Sequence, residues 1–249
     1  MNWPRQCAAV IPCLNESATI APLIAAVIRH VPNIFLVDDG STDETARLAE
    51  NAGANVLRHG KTQGKGAALR TGWMAARNAG FDWALTMDGD GQHSPEDIPN
   101  FFKCAEETAS VLVIGNRMGK SQKMPHLRRF VNRWMSARIS ALAGQSFPDS
   151  QSGFRLMNLH AWATLPICAA HFEIESDVLL AFARSGQRIG FVPIQVIYKT
   201  EQSKIHPVRD TVRWFRWWRA MKRLESERAF AFNDNIPVSI GSQFRTRAE

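Results

Sequence analysis

Two acidic segments of this sequence combine residue types and spacing that could do chemistry. The stronger is Met87-Asp88-Gly89-Asp90-Gly91-Gln92-His93, in which two carboxylates flank one glycine. Such a pair suits a hard divalent cation, because Mg²⁺ and Mn²⁺ take a few oxygen ligands and keep open positions for phosphate oxygens. The glycine allows a tight turn close to a ligand. Aspartate and glycine also form exposed turns, so this segment by itself leaves both interpretations open.

The second acidic segment is Val37-Asp38-Asp39-Gly40-Ser41-Thr42-Asp43, which follows the apolar residues 34–36. Capping of the next helix accounts for the hydroxyl residues and for Asp43. It does not account for Asp38 and Asp39, whose carboxylates can accept hydrogen bonds from base N–H groups or ribose hydroxyls. We therefore expect these two acids to contact a ligand.

The elements that must position these acids alternate along the chain. Apolar runs of strand length alternate with helix-like patterns, which is typical of an α/β fold with a mostly parallel sheet flanked by helices. The first helix is expected at 17–30, with Ser17 as its N-cap. Open parallel sheets bind ligands at the carboxyl ends of their strands, so both acidic segments should line one cleft. The predicted strands are residues 7–12, 34–37, 55–58, 83–87 and 111–114.

Composition limits the class of protein. At 249 residues the chain fits one α/β domain with a short tail. Its net charge of +7 favours anionic partners: nucleotide diphosphates, lipid phosphates, an anionic membrane or nucleic acid. The four cysteines form no C-x-x-C pair, which favours a reducing, cytosolic location. The first residues lack the apolar run of a signal peptide, and no stretch approaches the ~18 apolar residues of a membrane span, so any membrane contact should come from one side.

Four segments of the sequence occur in order and together carry a resemblance to a known family. They are Ile11-Pro12-Cys13-Leu14-Asn15-Glu16, residues 37–43, Gly64-Lys65-Gly66-Ala67-Ala68 and residues 88–93. Together they resemble the inverting family-2 glycosyltransferases, which have a GT-A fold, over most of the chain. The subgroup with the most similar pattern is the dolichol- and polyprenol-phosphate mannosyl- and glucosyltransferases. The resemblance implies transfer of a hexose from a UDP- or GDP-sugar to a lipid-linked acceptor, with Mg²⁺ or Mn²⁺ as cofactor.

The resemblance also implies which residues hold the nucleotide-sugar donor. Its nucleoside pocket would be lined by Pro12, Leu14, Glu16 and Asp39, with Asp38 in support.

The diphosphate and the metal would be held by the other two segments of the resemblance. Lys65 and Gly66 would lie near the base or the diphosphate. Asp90 and Gln92 would be the direct metal ligands, with Asp88 near both ribose and metal.

Two basic segments match the lipid-phosphate branch of the family. By the resemblance, Arg117 in Gly115-Asn116-Arg117 and Arg128 in residues 125–132 would clamp the acceptor phosphate, and Asn132 replaces a serine of the pattern. Two arginines suit a phosphate because each offers a planar fork of donors. A solvated basic face that includes Arg129 is the alternative for the second segment.

The acceptor is left open by a departure late in the chain. The lipid-phosphate enzymes usually carry R-x-x-G-x-S-K, whereas here Tyr198 and Glu201 replace the arginine and the glycine. The alternative is a hydroxyl acceptor, in a glycolipid or another cell-envelope component, with Glu175 as the candidate base. Residues 149–155 resemble the family's D-x-x-S-G-F-R loop, for which an acceptor-side role and a buried structural role both remain open.

The carboxyl-terminal part changes to a basic and aromatic pattern. We assign residues 1–205 to the glycosyltransferase domain, 206–230 to an amphipathic interfacial helix and 231–249 to a flexible tail. The helix would lie on the inner face of a membrane, with its arginines attracting anionic lipid. A helix packed on the domain, with its arginines in water, is the alternative. The aromatic residues of this segment are Trp214, Phe215, Trp217 and Trp218.

Three rival functions are less favoured. A nucleotidyltransferase that makes nucleotide sugars would carry a glycine-rich loop where this chain has residues 12–16. A nucleic-acid-binding module would leave both acidic segments unexplained, so we expect no nucleic-acid partner. A glycosyltransferase-like protein without activity is disfavoured because all residues of the metal segment are present.

Overall fold

A seven-stranded sheet with helices on both faces forms the molecule. The computed structural model describes residues 1–119, 124, 126–167, 169–197 and 207–233, with side chains of the final segment described from 210 to 224. The strands are β1 (Cys7–Cys13), β2 (Ile34–Asp38), β3 (Asn55–Arg58), β4 (Trp83–Thr86), β5 (Leu112–Asn116), β6 (Arg155–Asn158) and β7 (Ile189–Pro193). The helices are α1 (Trp3–Gln6), α2 (Ile20–Val27), α3 (Thr45–Asn51), α4 (Lys65–Asn78), α5 (Ile98–Thr108), α6 (His126–Ala143), α7 (Leu159–Ala163), α8 (Ile174–Arg184) and α9 (Pro207–Asn233).

The sheet has the order β3-β2-β1-β4-β6-β5-β7 and is mostly parallel. Among the seven strands in the described residues, only β6 runs against its neighbours, pairing antiparallel with both β4 and β5. The carboxyl ends of β1, β2, β4 and β5 therefore lie at one edge of the sheet. This confirms the predicted α/β class, and the five predicted strands are present with small shifts at their ends.

The central strand β1 is buried on every residue and separates two apolar cores. Ala9 and Ile11 belong to the core shared with α2 and α5. Ala8 and Val10 belong to the core shared with α4 and α8. Helix α4 can lie close to β1 because Gly72 has no side chain. A Cβ at this position would come within 2.4 Å of a Val10 methyl group. Helix α4 follows β3 in the chain, so its start lies at the carboxyl edge of the sheet.

The start of the first large helix differs from the sequence prediction. Helix α2 begins at Ile20 with Thr19 as its N-cap, so the prediction of Ser17 was wrong. The backbone N–H of Ser17 instead donates to the carboxylate of Asp43 at 3.2 Å. Glu44 rather than a hydroxyl residue occupies the N-cap of α3.

Helix α9 packs its tryptophans against the domain. Trp214 is 3% exposed, and its indole N–H donates to the hydroxyl of Ser176 at 3.0 Å. Trp217 donates to the carboxylate of Asp177 at 3.2 Å. The interpretation of Trp214 as membrane-facing is therefore wrong, because its side chain is buried against α8. The assignments of Tyr198, Glu201 and the tail beyond 233 lie outside the described residues.

No helix among the described residues has the length and apolar character needed to cross a membrane.

Candidate active site

The loop after β1 is in direct contact with residues 87–93 after β4, which we call the metal segment. The hydroxyl of Thr19 donates to the carbonyl of Gly89 at 2.7 Å. A Cβ on Gly89 would lie 2.4 Å from the Cys13 thiol sulfur and 3.4 Å from the Glu16 side chain. A glycine is therefore required for this approach. The contact brings the predicted nucleoside residues next to the predicted metal residues.

The loops after β1 and β2 are braced by side-chain hydrogen bonds. The N–H of Asn15 donates to the Ser41 hydroxyl, and the Asn15 side-chain carbonyl accepts from the N–H of Thr42, each at 2.8 Å. The N–H of Glu16 donates to Thr45 at 2.7 Å. Asn15 has a φ of 54°, in the left-handed region that asparagine tolerates. The loop holding Pro12, Leu14 and Glu16 is thus fixed beside the second acidic segment.

Both acids of the second segment have partners within the protein, which the sequence did not reveal. Asp38 accepts from the N–H of Ser41 at 3.0 Å. Asp39 accepts from the N–H groups of Gln63 and Gly64 at 2.9 and 2.8 Å, and lies 2.7 Å from the imidazole of His59. Asp39 is only 4% exposed. Its carboxylate therefore orders the loop that leads directly into Lys65.

Lys65 joins the first acid of the metal segment to an acid on the opposite side of the cleft. Its ammonium nitrogen lies 2.6 Å from Asp88 Oδ1 and 2.6 Å from Glu175 Oε1. Burial acts to raise the pKa of Asp88, but the Lys65 ammonium, together with the nearby His93 and Arg117, lowers that pKa to about 2. Burial acts to lower the pKa of Lys65, and the two carboxylates together raise it instead. Asp88 and Lys65 are therefore both charged at neutral pH.

Asp90 is in a different electrostatic position from Asp88. Burial, together with the neighbouring Asp88 charge, raises the pKa of Asp90. Its Oδ1 accepts from the N–H of Gln92 at 2.9 Å, which turns the segment back on itself. A cation at this place would remove the repulsion between the two carboxylates.

The oxygen donors of this segment fit Mg²⁺ or Mn²⁺. Asp90 and the Gln92 amide offer hard ligands, with Asp88 beside them. Within the described part of the chain, no group of three or more His, Cys, Asp and Glu side chains could hold a metal ion. A metal ion held by this segment would need further ligands, which phosphate oxygens could supply.

The buried ring of His93 contacts the backbone of the metal segment. Its ring nitrogen Nδ1 accepts from the N–H of Asp88 at 3.4 Å, and its ring stacks on Phe154 at 5.1 Å between centroids. Burial lowers the pKa of His93, so the ring is neutral at physiological pH. A neutral His93 ring adds no positive charge that would compete with a metal ion for Asp88 and Asp90.

Arg117, the first predicted phosphate clamp, is held by Asp149. The guanidinium donates twice to that carboxylate, at 2.8 and 2.9 Å, and the Arg117 backbone N–H adds a third bond at 3.1 Å. Asp149 is fully buried. Burial acts to raise the pKa of Asp149, and Arg117 outweighs it and lowers that pKa. The orientation of the arginine is thus determined by a residue to which the sequence gave no such role.

The loop of residues 149–155 is largely buried and lies beside Asp88, and its acceptor-side role stays a prediction. A Cβ on Gly153 would come within 2.7 Å of an Asp88 carboxylate oxygen. Arg155 donates to the backbone carbonyls of Ser150, Ser152 and Glu175 at 2.7 to 3.0 Å. Burial lowers the pKa of Arg155 to about 10, against the attraction of nearby acids, so it stays charged.

The roles predicted for Gly66 and Arg128 stay predictions, and the structure shows the surroundings of both residues. Gly66 was placed near the base or diphosphate, but a Cβ there would lie 2.6 Å from the carbonyl oxygen of Ala169. Its missing side chain thus makes room for the chain before α8. Arg128 lies half-buried in the first turn of α6. The neighbouring Arg129 donates to the Met118 carbonyl at 3.3 Å, which ties this turn to the segment of Arg117.

Comparisons with known proteins agree with this fold. Residues 8–163 match the model of the family described as glycosyl transferase family 2. The chain is 31% identical over 217 residues to the UDP-N-acetylglucosamine–dolichyl-phosphate N-acetylglucosaminyltransferase of Methanococcus voltae, covering 78% of this chain and 86% of that protein. It is 29% identical over 201 residues to the undecaprenyl-phosphate mannosyltransferase of Micrococcus luteus, covering 76% of this chain and 82% of that protein.

A solved structure shows the same fold. Glucosyl-3-phosphoglycerate synthase from Mycobacterium tuberculosis, in complex with Mn²⁺, UDP and glucosyl-3-phosphoglycerate, superposes with a TM-score of 0.67 at 22% identity. The match covers 88% of this chain and 79% of that one. The chain belongs to glycosyl transferase family 2. It is a glycosyltransferase with the GT-A fold, and its named relatives are polyprenol-phosphate sugar transferases.

Proposed function

We propose that this enzyme is a metal-dependent inverting transferase that moves a hexose from a UDP- or GDP-sugar to polyprenyl phosphate. It would work from the cytoplasmic side, bound peripherally to the inner face of the membrane. The observation that carries the proposal is the pair Asp88 and Asp90 at the carboxyl edge of the sheet, beside the buried cation Lys65. The named relatives, which use polyprenyl-phosphate acceptors, support the choice of acceptor.

The donor would be held by the residues at the ends of β1, β2 and β4. Pro12, Leu14 and Glu16 lie in the braced loop where a nucleoside would bind, and Asp39 keeps the neighbouring loop ordered. Asp90 and Gln92 would hold Mg²⁺ or Mn²⁺. The cation, when bound, neutralises the charge that grows on the leaving nucleotide diphosphate. Glucosyl-3-phosphoglycerate synthase, which has the same fold, was solved with Mn²⁺ and UDP, and this supports a metal and a nucleotide donor for this enzyme.

The acceptor side fits a phosphate better than an alcohol. A phosphate monoester is already ionised near neutral pH and needs positioning more than a base. Arg117 is held in a fixed orientation by Asp149, as a positioning group requires. Glu175, the candidate base for an alcohol, is 7% exposed at its side chain and is occupied by Lys65.

The proposal is tested by a panel of UDP- and GDP-sugars, with Mg²⁺ or Mn²⁺, scored for release of nucleotide diphosphate. We expect release with at least one sugar to require the metal and to rise strongly when polyprenyl phosphate is added. Release that is unaffected by polyprenyl phosphate but stimulated by a glycolipid alcohol would favour the hydroxyl acceptor. No release in any combination would contradict the proposed activity.

Replacing Glu175 with glutamine separates the two acceptor classes. With polyprenyl phosphate as acceptor, we expect Glu175→Gln to lower kcat less than about tenfold, since Asp88 still holds Lys65 and no base is needed. A general base would lose about a hundredfold or more. The matched control is Glu173→Gln, at the N-cap of the same helix. A hundredfold loss confined to Glu175→Gln would contradict the phosphate acceptor.

Removing Asp149, the partner of Arg117, should raise the KM for the acceptor more than the KM for the donor. In Asp149→Asn the guanidinium loses its charged partner, so its orientation toward the acceptor phosphate is no longer fixed. We expect the acceptor KM to rise about tenfold or more, with the donor KM nearly unchanged. Arg117→Lys should show the same selectivity, because lysine lacks the planar fork. Equal changes in both KM values would indicate a general structural defect and contradict the assignment.

A further inference from the structure

The amino-terminal half of α6 exposes an apolar stripe that the sequence analysis did not single out. Leu127 is 77% exposed, Phe130 is 67% exposed and Val131 is 39% exposed. Their spacing places them on one face of the helix. Ile139 and Leu142, further along the same helix, are buried in the domain core. One end of α6 thus anchors the helix while the other presents large apolar side chains to solvent.

This stripe is continuous with the aromatic side of α9. Trp134, one turn beyond Phe130 and Val131, has its ring centroid 5.7 Å from that of Trp214 and 5.4 Å from that of Phe215. Phe215 is itself 36% exposed. We call Leu127, Phe130, Val131 and Phe215 the α6–α9 apolar face. Since Trp214 is buried, this face differs from the one that the aromatic sequence pattern of α9 indicated.

The ionisable side chains of α6, which flank the α6–α9 apolar face, are all basic. Its 18 residues include four arginines and one histidine, and no aspartate or glutamate. On α9, Arg216 and Arg219 are exposed beside Phe215. A second copy of the same face would meet it with like charge, which disfavours a symmetric dimer. An anionic lipid surface is complementary both to the arginines and to the apolar side chains.

We propose that the α6–α9 apolar face is the surface that docks on an anionic membrane, with the amino-terminal half of α6 as its main contact. The inference rests on the proposed function, since it names the surface from which a membrane-embedded acceptor is reached. The start of α6 is tied to the segment of Arg117 through the bond from Arg129 to Met118. Docking there places the acceptor side of the cleft next to the lipid headgroups.

The test is flotation of the full chain with vesicles of phosphatidylcholine, with and without phosphatidylglycerol. We expect the wild-type protein to float only with phosphatidylglycerol present. The double variant Leu127→Ser/Phe130→Ser should partition at least about tenfold less, because two large apolar side chains are lost from the contact. The matched control is Met74→Ser, which removes a 56% exposed side chain from α4 and should float like the wild type.

Three outcomes would overturn the docking surface. They are a wild-type protein that stays in solution with anionic vesicles, a double variant that floats like the wild type, and a Met74→Ser variant whose flotation falls as much as that of the double variant. Dimerisation that depends on Leu127 and Phe130, without flotation, would assign the face to a second copy and also overturn it.

Activity separates this inference from the proposed function. Nucleotide diphosphate release with a short, water-soluble prenyl phosphate should be the same in the wild type and in Leu127→Ser/Phe130→Ser. Flotation without any release would leave the docking surface standing and refute the proposed reaction. Release without flotation would support the proposed reaction and overturn the docking surface.

Discussion

Asp90→Asn is expected to abolish sugar transfer while the protein remains folded. The substitution keeps the shape of the side chain and its contact with Gln92 but removes the charge that would hold the cation. Without that charge the leaving diphosphate is poorly stabilised, and we expect a loss of at least about a thousandfold in kcat. The measurement is release of nucleotide diphosphate under saturating metal and acceptor. Asp82→Asn, an exposed acid paired with His160 outside the cleft, is the control that should retain full activity.

The stability of Asp90→Asn follows from the direction of the pKa shift. The folded protein raises the pKa of Asp90, through burial and the nearby Asp88 charge. A raised carboxyl pKa means that the folded state binds the proton more tightly than the unfolded state, so ionised Asp90 destabilises the fold above its ordinary pKa. Without metal at neutral pH, the variant should therefore be at least as stable as the wild type. A variant that is unfolded, or one that is fully active, would contradict the metal-binding role.

Lys65→Met is the second substitution with a large expected effect. It leaves Asp88 and Glu175 as two mostly buried carboxylates without their shared cation. Breaking a buried ion pair by removing one partner costs about 3 kcal/mol or more of folding free energy, because the remaining charge stays desolvated. We expect denaturant unfolding to show a loss of that size. Lys103→Met, in an exposed pair with Glu107, should show no measurable change.

A double substitution tests the reason for the loss. Adding Glu175→Gln to Lys65→Met removes one of the two unpaired carboxylates, so stability should be partly restored. If the double variant is less stable than Lys65→Met by the full effect of Glu175→Gln alone, the two residues are not coupled. That result would contradict the bridge across the cleft.

The same ion pair predicts a dependence of stability on acid. The pKa of Asp88 falls from an ordinary value of 3.8 to about 2 in the folded protein. The pair therefore contributes its full stabilisation above pH 3.8 and loses it as the pH falls toward 2. In Lys65→Met this part of the acid sensitivity should be smaller.

The strand pattern could be predicted where apolar runs were uninterrupted. Residues 34–37, which are all apolar, were predicted as a strand and form β2 together with Asp38. Strand β6 was missed because its place in the sheet depends on antiparallel pairing with β4 and β5, which are distant in the sequence. The sequence left open which face of α9 packs on the domain, because neighbouring tryptophans lie on different helix faces and the packed face is decided by α6 and α8.

The acids of the candidate site could be found from the sequence, but their partners could not. Asp88 and Asp90 stand in a recognisable pattern after a strand. Lys65 and Glu175 lie far from each other in the chain and meet only because α4 and α8 begin on the same side of the sheet. Asp149 likewise had no local signal for its bond to Arg117, since long-range ion pairs leave no periodicity in the sequence.

Binding of UDP and GDP, titrated with Mn²⁺ and then with a chelator present, tests the central claim most directly. We predict that the nucleotide that binds does so with a Kd at least about tenfold lower when the metal is present, and that Asp90→Asn loses this gain. The same Kd with and without metal, or a gain that survives in Asp90→Asn, would contradict the claim that these strand-end acids hold a cation against a diphosphate.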